Sequence, residues 1–130
     1  MQTPESKVVE KSLTALGMDA LRLLHSGDLS ALADRFGYVR SFYRKPLDAI
    51  RDEIDSCLAS LSATRIAKSA SSSTVHIKYF KPNDAALFAL VECVAATDNS
   101  GYLLMALIVA TQGLHKRITI KDFTAQNAPL

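Results

Sequence analysis

The stretch that decides the fold, residues 85–113, reads AALFALVECVAATDNSGYLLMALIVATQG. It is rich in Leu, Val and Ala, but Glu92 and the polar turn 98–101 interrupt it. Neither half reaches the run of about 20 apolar residues that a membrane helix needs. Short apolar runs on either side of an Asp-Asn-Ser-Gly turn favour two buried strands. We therefore predict strands over residues 85–97 and 102–111.

Both faces of these two strands are apolar. A solvated antiparallel sheet alternates apolar and polar residues, whereas odd and even positions are almost equally apolar here. Helices can cover one face, but the chain has no further element to cover the other. We interpret the second face as a surface for another copy of the chain. The alternative is a sheet curled strongly enough to cover part of itself.

Three helices are predicted before the strands. Thr3 and Pro4 suit the cap and first position of the first helix, and Gly17 inside its pattern indicates close packing or a bend. Its apolar stripe comprises Val9, Leu13, Leu16, Ala20, Leu23 and Leu24. Asp28 can cap a short second helix over 29–36, and a third helix begins near Pro46.

The remaining segments are less regular. Residues 38–43 fit a brief strand or an extended connection, and 64–69 are a weak strand candidate before a small-residue loop at 69–73. Residues 74–80 alternate as a strand should. A last strand starts at Arg117, and residues 123–130 are predicted to be a tail. The chain is thus predicted to be a single α+β domain over 1–130, with N-terminal helices packed on a curved antiparallel sheet.

Composition restricts the function classes. The chain has 15 basic and 13 acidic side chains, so its net charge of +2 gives little support to nucleic-acid binding. No signal-peptide pattern is present, which predicts a cytoplasmic protein. Cys57 and Cys93 have no metal-ligand spacing, and two buried reduced thiols are favoured over a disulfide. We predict no cofactor, no metal and no membrane insertion.

Three segments carry a family resemblance. Residues 20–33 (ALRLLHSGDLSALA), 46–51 (PLDAIR) and 113–122 (GLHKRITIKD) resemble the first helix and its Gly-Asp junction, the third helix and the last hairpin of the nuclear transport factor two-like superfamily, which includes SnoaL-like proteins. The resemblance implies a cone-shaped, cystatin-like sheet around the long helix, an apolar pocket at the open end and dimerisation through the outer sheet face. The short segment between Phe36 and Pro46 implies a reduced first strand.

Enzymes of that superfamily use a carboxylate or His base together with a group that holds an enolate-like oxygen. His76, Glu92 and Asp122 are the candidate acid and base groups. Each has a plainer interpretation. His76 can be an exposed strand residue, and Glu92 can pair with Lys78 or Arg117. Asp122 can be a charge at the sheet edge that prevents aggregation. The candidate pocket residues are Tyr38, Tyr43, Tyr79 and Phe88. His25, at the end of the first helix, is interpreted as a cap that favours the helix dipole.

A cluster of cations with interleaved aromatic residues lies between the second and third helices. It comprises Arg35, Arg40, Arg44 and Lys45 with Tyr38, Phe42 and Tyr43. Such a cluster can bind anions or nucleic acid, but a solvated loop with some partner contact fits the charge balance better. The leading hypothesis is a non-catalytic, dimeric binding or protein-interaction domain, such as an immunity-type or accessory protein. The alternative is a SnoaL-like isomerase, dehydratase or cyclase acting on a small apolar molecule.

Overall fold

The fold consists of three helices on one face of an open antiparallel sheet. The computed structural model describes residues 4–67 and 73–127, and only the backbone of residues 4–8. The elements are α1 (Pro4–Ser26), α2 (Leu29–Phe36), α3 (Pro46–Ser60), β1 (Thr74–Tyr79), β2 (Leu87–Ala96), β3 (Tyr102–Gln112) and β4 (His115–Gln126). The strand order is β1-β2-β3-β4. The predicted α+β class is confirmed. Within the described residues, no helix combines the length and the apolar content needed to cross a membrane.

Local capping signals explain where α2 and α3 lie. The Ala31 amide donates to Oδ1 of Asp28 at 3.1 Å, which satisfies one of the free N–H groups at the start of α2. Gly37 ends α2 with φ of 67° and donates to the Ala33 carbonyl. Pro46 occupies the start of α3, where a missing N–H costs nothing. The predicted Thr3 cap lies outside the described residues.

Gly17 sets the distance between α1 and the sheet. A Cβ built on Gly17 would lie 2.8 Å from one Val75 methyl group and 3.1 Å from a methyl group of Val91. The Cys93 thiol donates to the Gly17 carbonyl at 3.8 Å, which also requires the helix backbone to be close. The prediction of close packing at Gly17 is therefore confirmed.

The space between the helices and the sheet is filled by one apolar core. Each helix contributes an apolar stripe, and the inward positions of β2, β3 and β4 meet these stripes. Residues with no accessible surface include Ala20, Leu21, Leu32, Ile50, Val91, Met105, Leu107 and Ile120. Their close packing leaves the sheet with a helix-covered inner face and an outer face that carries the alternate residues.

The segments around α3 differ from prediction. Residues 39–41 form a 3-10 helix rather than a strand, and Tyr38 makes only an isolated parallel bridge to Ile120. A single bridge forms because Gly37 turns the chain immediately before it and the 3-10 helix begins immediately after it. Of the weak strand candidate at 64–69, the structure describes residues 64–67. Their only strand-like pairing is an isolated bridge between Ile66 and Thr97. The rest of that candidate and most of the 69–73 loop lie outside the described residues.

The last strand is longer than predicted. Gln112 pairs with His115, so the turn has two residues, Gly113 and Leu114, and β4 begins before Arg117. Its other end continues to Gln126, opposite Tyr102. The predicted tail is therefore wrong over 123–126, because Phe123 is 3% exposed and packs in the core.

The turn between β2 and β3 is fixed to the end of α3. Nδ2 of Asn99 donates to the carbonyls of Leu61 and Ser62, and Oδ1 of Asp98 accepts from the amides of Thr64 (2.9 Å) and Arg65 (3.3 Å). The hydrogen bond from Thr64 is the main cause that lowers the pKa of Asp98 below its usual value. This network ties the central hairpin to the helices at one end of the sheet.

Candidate functional site

The interior between helices and sheet does not hold the predicted acid and base groups. Within residues 9–67 and 73–127, Glu92 is the only charged residue that is buried, and it lies on the outer face of the sheet. The side chains of the core cluster are apolar, apart from the thiols of Cys57 and Cys93 and the phenol of Tyr38. An acid–base site needs a donor and a base close to one reacting atom, and the candidates His76 and Glu92 lie on the other face of the sheet from this interior.

The strand register aligns His76, Glu92 and Asp122 across the sheet. His76 of β1 pairs with Glu92 of β2, Glu92 pairs with Ala106 of β3, and Ala106 pairs with Asp122 of β4. We call these four residues the polar row. His76 is exposed, Asp122 is half-buried, and the two central members, Glu92 and Ala106, are 6% and 4% exposed. The three candidates thus share one line, but on the face opposite the helices.

Glu92 is paired with a cation, as one of the two interpretations predicted. Nζ of Lys78 lies 3.0 Å from Oε1 of Glu92. The contact is an ion pair, and this buried oxygen has no hydrogen-bond donor among the described residues. Because the Lys78 side chain is 67% exposed, water screens the pair and its contribution to stability is about 1 kcal/mol or less. A buried carboxylate held in this way is poorly compensated on its own.

Asp122 ends the polar row beside an irregularity in β4. The register shifts between Ala106 and Leu107, which leaves Lys121 as the extra residue on β4. Nζ of Lys121 lies 2.7 Å from Oδ2 of Asp122. The position on the edge strand β4 agrees with the interpretation of Asp122 as an edge charge.

The centre of the outer face is already covered within the single chain. Val94 has no accessible surface and Leu104 is 7% exposed, although the helices contact the sheet on its other face. These two side chains are shielded by the chain itself, so they do not need a second copy to cover them. Around this centre lies a rim of half-buried apolar residues on the same face: Leu90, Ala96, Tyr102, Ile108 and Ala110. Any contact with a second copy would be made by this rim and by the polar row.

The four predicted pocket residues do not share a pocket. Tyr38 is 6% exposed and packs edge to face on Phe123, with ring centroids 5.7 Å apart. Tyr79 and Phe88 form a second such pair at the far end of β1, where Lys116 lies over the Phe88 ring. Tyr43 is fully exposed. The structure therefore places these four residues at three separate locations on different elements.

Two grooves lie near the helices, away from the polar row. One of about 280 Å³ lies between α1, α3 and the 64–66 segment. His25 is at its edge, and its ring nitrogens contact the Ala67 carbonyl and the Ser73 hydroxyl, so His25 connects α1 to the chain that leads into β1. The other groove, of about 620 Å³, runs between the end of α2 and β4 and includes Arg35 and Arg117.

The two cysteines are free buried thiols. Burial, followed by the nearby carboxylates of Glu53 and Asp122, raises the pKa of Cys57 to about 11. Burial and then Glu92 raise the pKa of Cys93 to about 12. A thiol that stays protonated is a poor nucleophile and a poor metal ligand. In the described part of the chain, no group of three His, Cys, Asp or Glu side chains is placed to hold a metal ion.

The predicted basic cluster separates into two parts. Arg35 stays at the end of α2, where it lies 3.4 Å from Asp19 and over the ring of Phe36. Arg40, Arg44 and Lys45 belong to the connection between α2 and α3. The sequence did not indicate the exposure of Phe42 and Tyr43 in this connection, because aromatic residues at these spacings are usually core.

These features define the class of protein as an α+β domain with a packed apolar interior and polar groups on the outer sheet face. Comparison of the chain with protein-family models, with curated proteins and with solved structures gave no match. The functional argument therefore rests on the geometry of the polar row, the apolar rim and the α2–α3 connection.

Proposed function

We propose that this protein is a non-catalytic, homodimeric binding domain of the nuclear transport factor two-like type. One observation carries the proposal: Glu92, the one buried charged residue in 9–67 and 73–127, lies on the sheet face away from the helices. A buried charge contributes little to stability but can fix the register of a specific interface. An interface with a second copy would give Glu92 that role. The order of helices and strands supports the superfamily assignment.

The polar row is complementary to itself. A two-fold axis between two outer faces, parallel to the strands, reverses the strand order and keeps the height of each residue along its strand. β1 of one copy then faces β4 of the other, so His76 meets Asp122 of the second copy and Glu92 meets its Ala106. An imidazole, which can donate a hydrogen bond, lies over a carboxylate, and a long side chain lies over a small one. Sheets packed face to face align within about 30°, which keeps row against row.

Leu90→Arg is expected to abolish self-association. Leu90 is a half-buried member of the apolar rim, and a buried unpaired guanidinium at that position would cost more than the contact gains. Sedimentation equilibrium measures the result: the wild type is expected at twice the chain mass of 14.1 kDa, and the variant at 14.1 kDa.

Leu114→Arg is the matched control for Leu90→Arg. Leu114 is fully exposed at the tip of the β3–β4 hairpin, so the same change there should leave the dimer intact. Equal masses for the two variants, with circular dichroism confirming that both are folded, would refute the proposed interface.

A further inference from the structure

The connection between α2 and α3 exposes an unusual amount of apolar surface. We call residues 39–45 the aromatic loop. Val39 is 55% exposed, Phe42 is 69% exposed and Tyr43 is completely exposed. Three large apolar side chains within five positions are therefore exposed, and their contact with water is energetically unfavourable. Such surface on a small domain is typical of an interaction site.

The backbone of the aromatic loop is strained in a way that displays these side chains. Phe42 and Tyr43 follow one another with φ of 42° and 67°. This left-handed region disfavours bulky residues, and glycine would be the unstrained choice at either position. Hydrogen bonds from Ser41 to the Tyr38 carbonyl and from Arg44 to the Ser41 carbonyl hold the turn, and Tyr38 is fixed in the core. Strain of this kind is concentrated at functional sites.

The charges around the exposed aromatic residues are cationic. Arg44 pairs with Asp52 of α3. Arg40 and Lys45 are exposed, and neither makes an ion pair within the described part of the chain. They flank Phe42 and Tyr43 along the chain. A partner that covers the two rings would therefore bring its own carboxylates within reach of Arg40 and Lys45.

We propose that the aromatic loop docks a protein segment in which carboxylates flank an apolar residue. This proposal deepens the binding function proposed above and rests on it. Aromatic rings, arginine and an apolar neighbour are the groups enriched at the centres of protein interfaces. A nucleic acid fits less well, because Val39 cannot stack on a base and because a net charge of +2 attracts a polyanion only weakly.

A displayed library of random 16-residue peptides tests the proposal. Peptides are selected on the full chain and depleted on the double variant Phe42→Ser/Tyr43→Ser, which removes both exposed rings without touching the core. We expect the surviving peptides to carry Asp or Glu beside an apolar residue. In fluorescence anisotropy, the most enriched peptide should bind at least tenfold more weakly to the double variant and at least threefold more weakly to Arg40→Glu. Leu114→Ser, at an equally exposed position, should bind like the wild type.

Three results would overturn the docking proposal. The first is that no peptide distinguishes the wild type from the double variant. The second is that the distinguishing peptides lack acidic residues. The third is that a fluorescein-labelled 15-nucleotide poly(U) RNA binds the wild type and loses binding in the double variant, which would make the loop a nucleic-acid site. Sedimentation of the same variants separates this test from the dimer, because the aromatic loop lies outside the polar row and should not affect mass.

Discussion

Replacing Gly17 with Leu is expected to lower the free energy of unfolding by about 3 kcal/mol. The added Cβ would lie 2.8 Å from a Val75 methyl group, and the rest of the side chain has no room between α1 and β2. The helix must therefore move away from the sheet, which also weakens the contact of Cys93 with the Gly17 carbonyl. The gain in helix propensity over Gly offsets only about 1 kcal/mol of this loss. Urea denaturation followed by circular dichroism measures the difference.

Ala15→Leu is the control for Gly17→Leu. Ala15 lies in the same helix on its exposed side, so leucine there should change stability by less than about 0.5 kcal/mol. If Gly17→Leu were as stable as the wild type while Ala15→Leu behaved as expected, the close approach of α1 to the sheet would be wrong.

Tyr38→Ala is expected to destabilise the protein by about 3 kcal/mol, because it removes a large buried ring. The ring packs on Phe123 and fixes the start of the aromatic loop against β4 through the bridge to Ile120. The variant should therefore also lose binding of peptides selected on the loop. Thermal and urea unfolding measure the first effect, and anisotropy measures the second. A full affinity in a destabilised but folded variant would show that the loop does not need this support.

Tyr38→Phe retains the ring and gives a pH test. Burial, followed by the carboxylate of Glu53, raises the pKa of Tyr38 from 10.0 to about 12. Below pH 10 the phenol is neutral in both states, so it causes no change. Between about pH 10 and 12 the unfolded chain loses this proton first, and stability falls as the pH rises. Tyr38→Phe should reduce that alkaline loss. An identical pH dependence in the two proteins would place the Tyr38 hydroxyl in water.

The helices and central strands could be predicted because their signals are local. Asp28 before the 29–36 pattern and Pro46 before the third stripe mark helix starts, and both boundaries are found where predicted. The hairpin around residues 98–101 follows from two apolar runs separated by turn residues. The course of residues 38–43 could not be predicted, because the left-handed Phe42 and Tyr43 that follow the 3-10 helix contradict the preferences on which such predictions depend.

The candidate site was only partly predictable. His76, Glu92 and Asp122 were identified by residue type, and pairing of Glu92 with Lys78 was among the interpretations. Their alignment depends on the strand register, including the extra residue Lys121 in β4, and no local pattern in the sequence marks that irregularity. Which face they occupy depends in turn on where the helices pack.

Substitution of the residues at the ends of the polar row tests self-association through the outer sheet face most directly. His76→Asp would place two carboxylates opposite each other at two equivalent places in the dimer, and Asp122→Lys would remove the carboxylate opposite His76 at both places. Each is expected to weaken the dimer about tenfold, since two such exposed contacts cost about 0.7 kcal/mol each. The double variant restores opposite charges and should return to within about threefold of the wild-type dissociation constant, measured by sedimentation equilibrium. Two results would contradict self-association through this face. The first is a wild type that sediments at 14.1 kDa at every concentration. The second is a double variant whose dissociation constant is raised by the product of the two single effects.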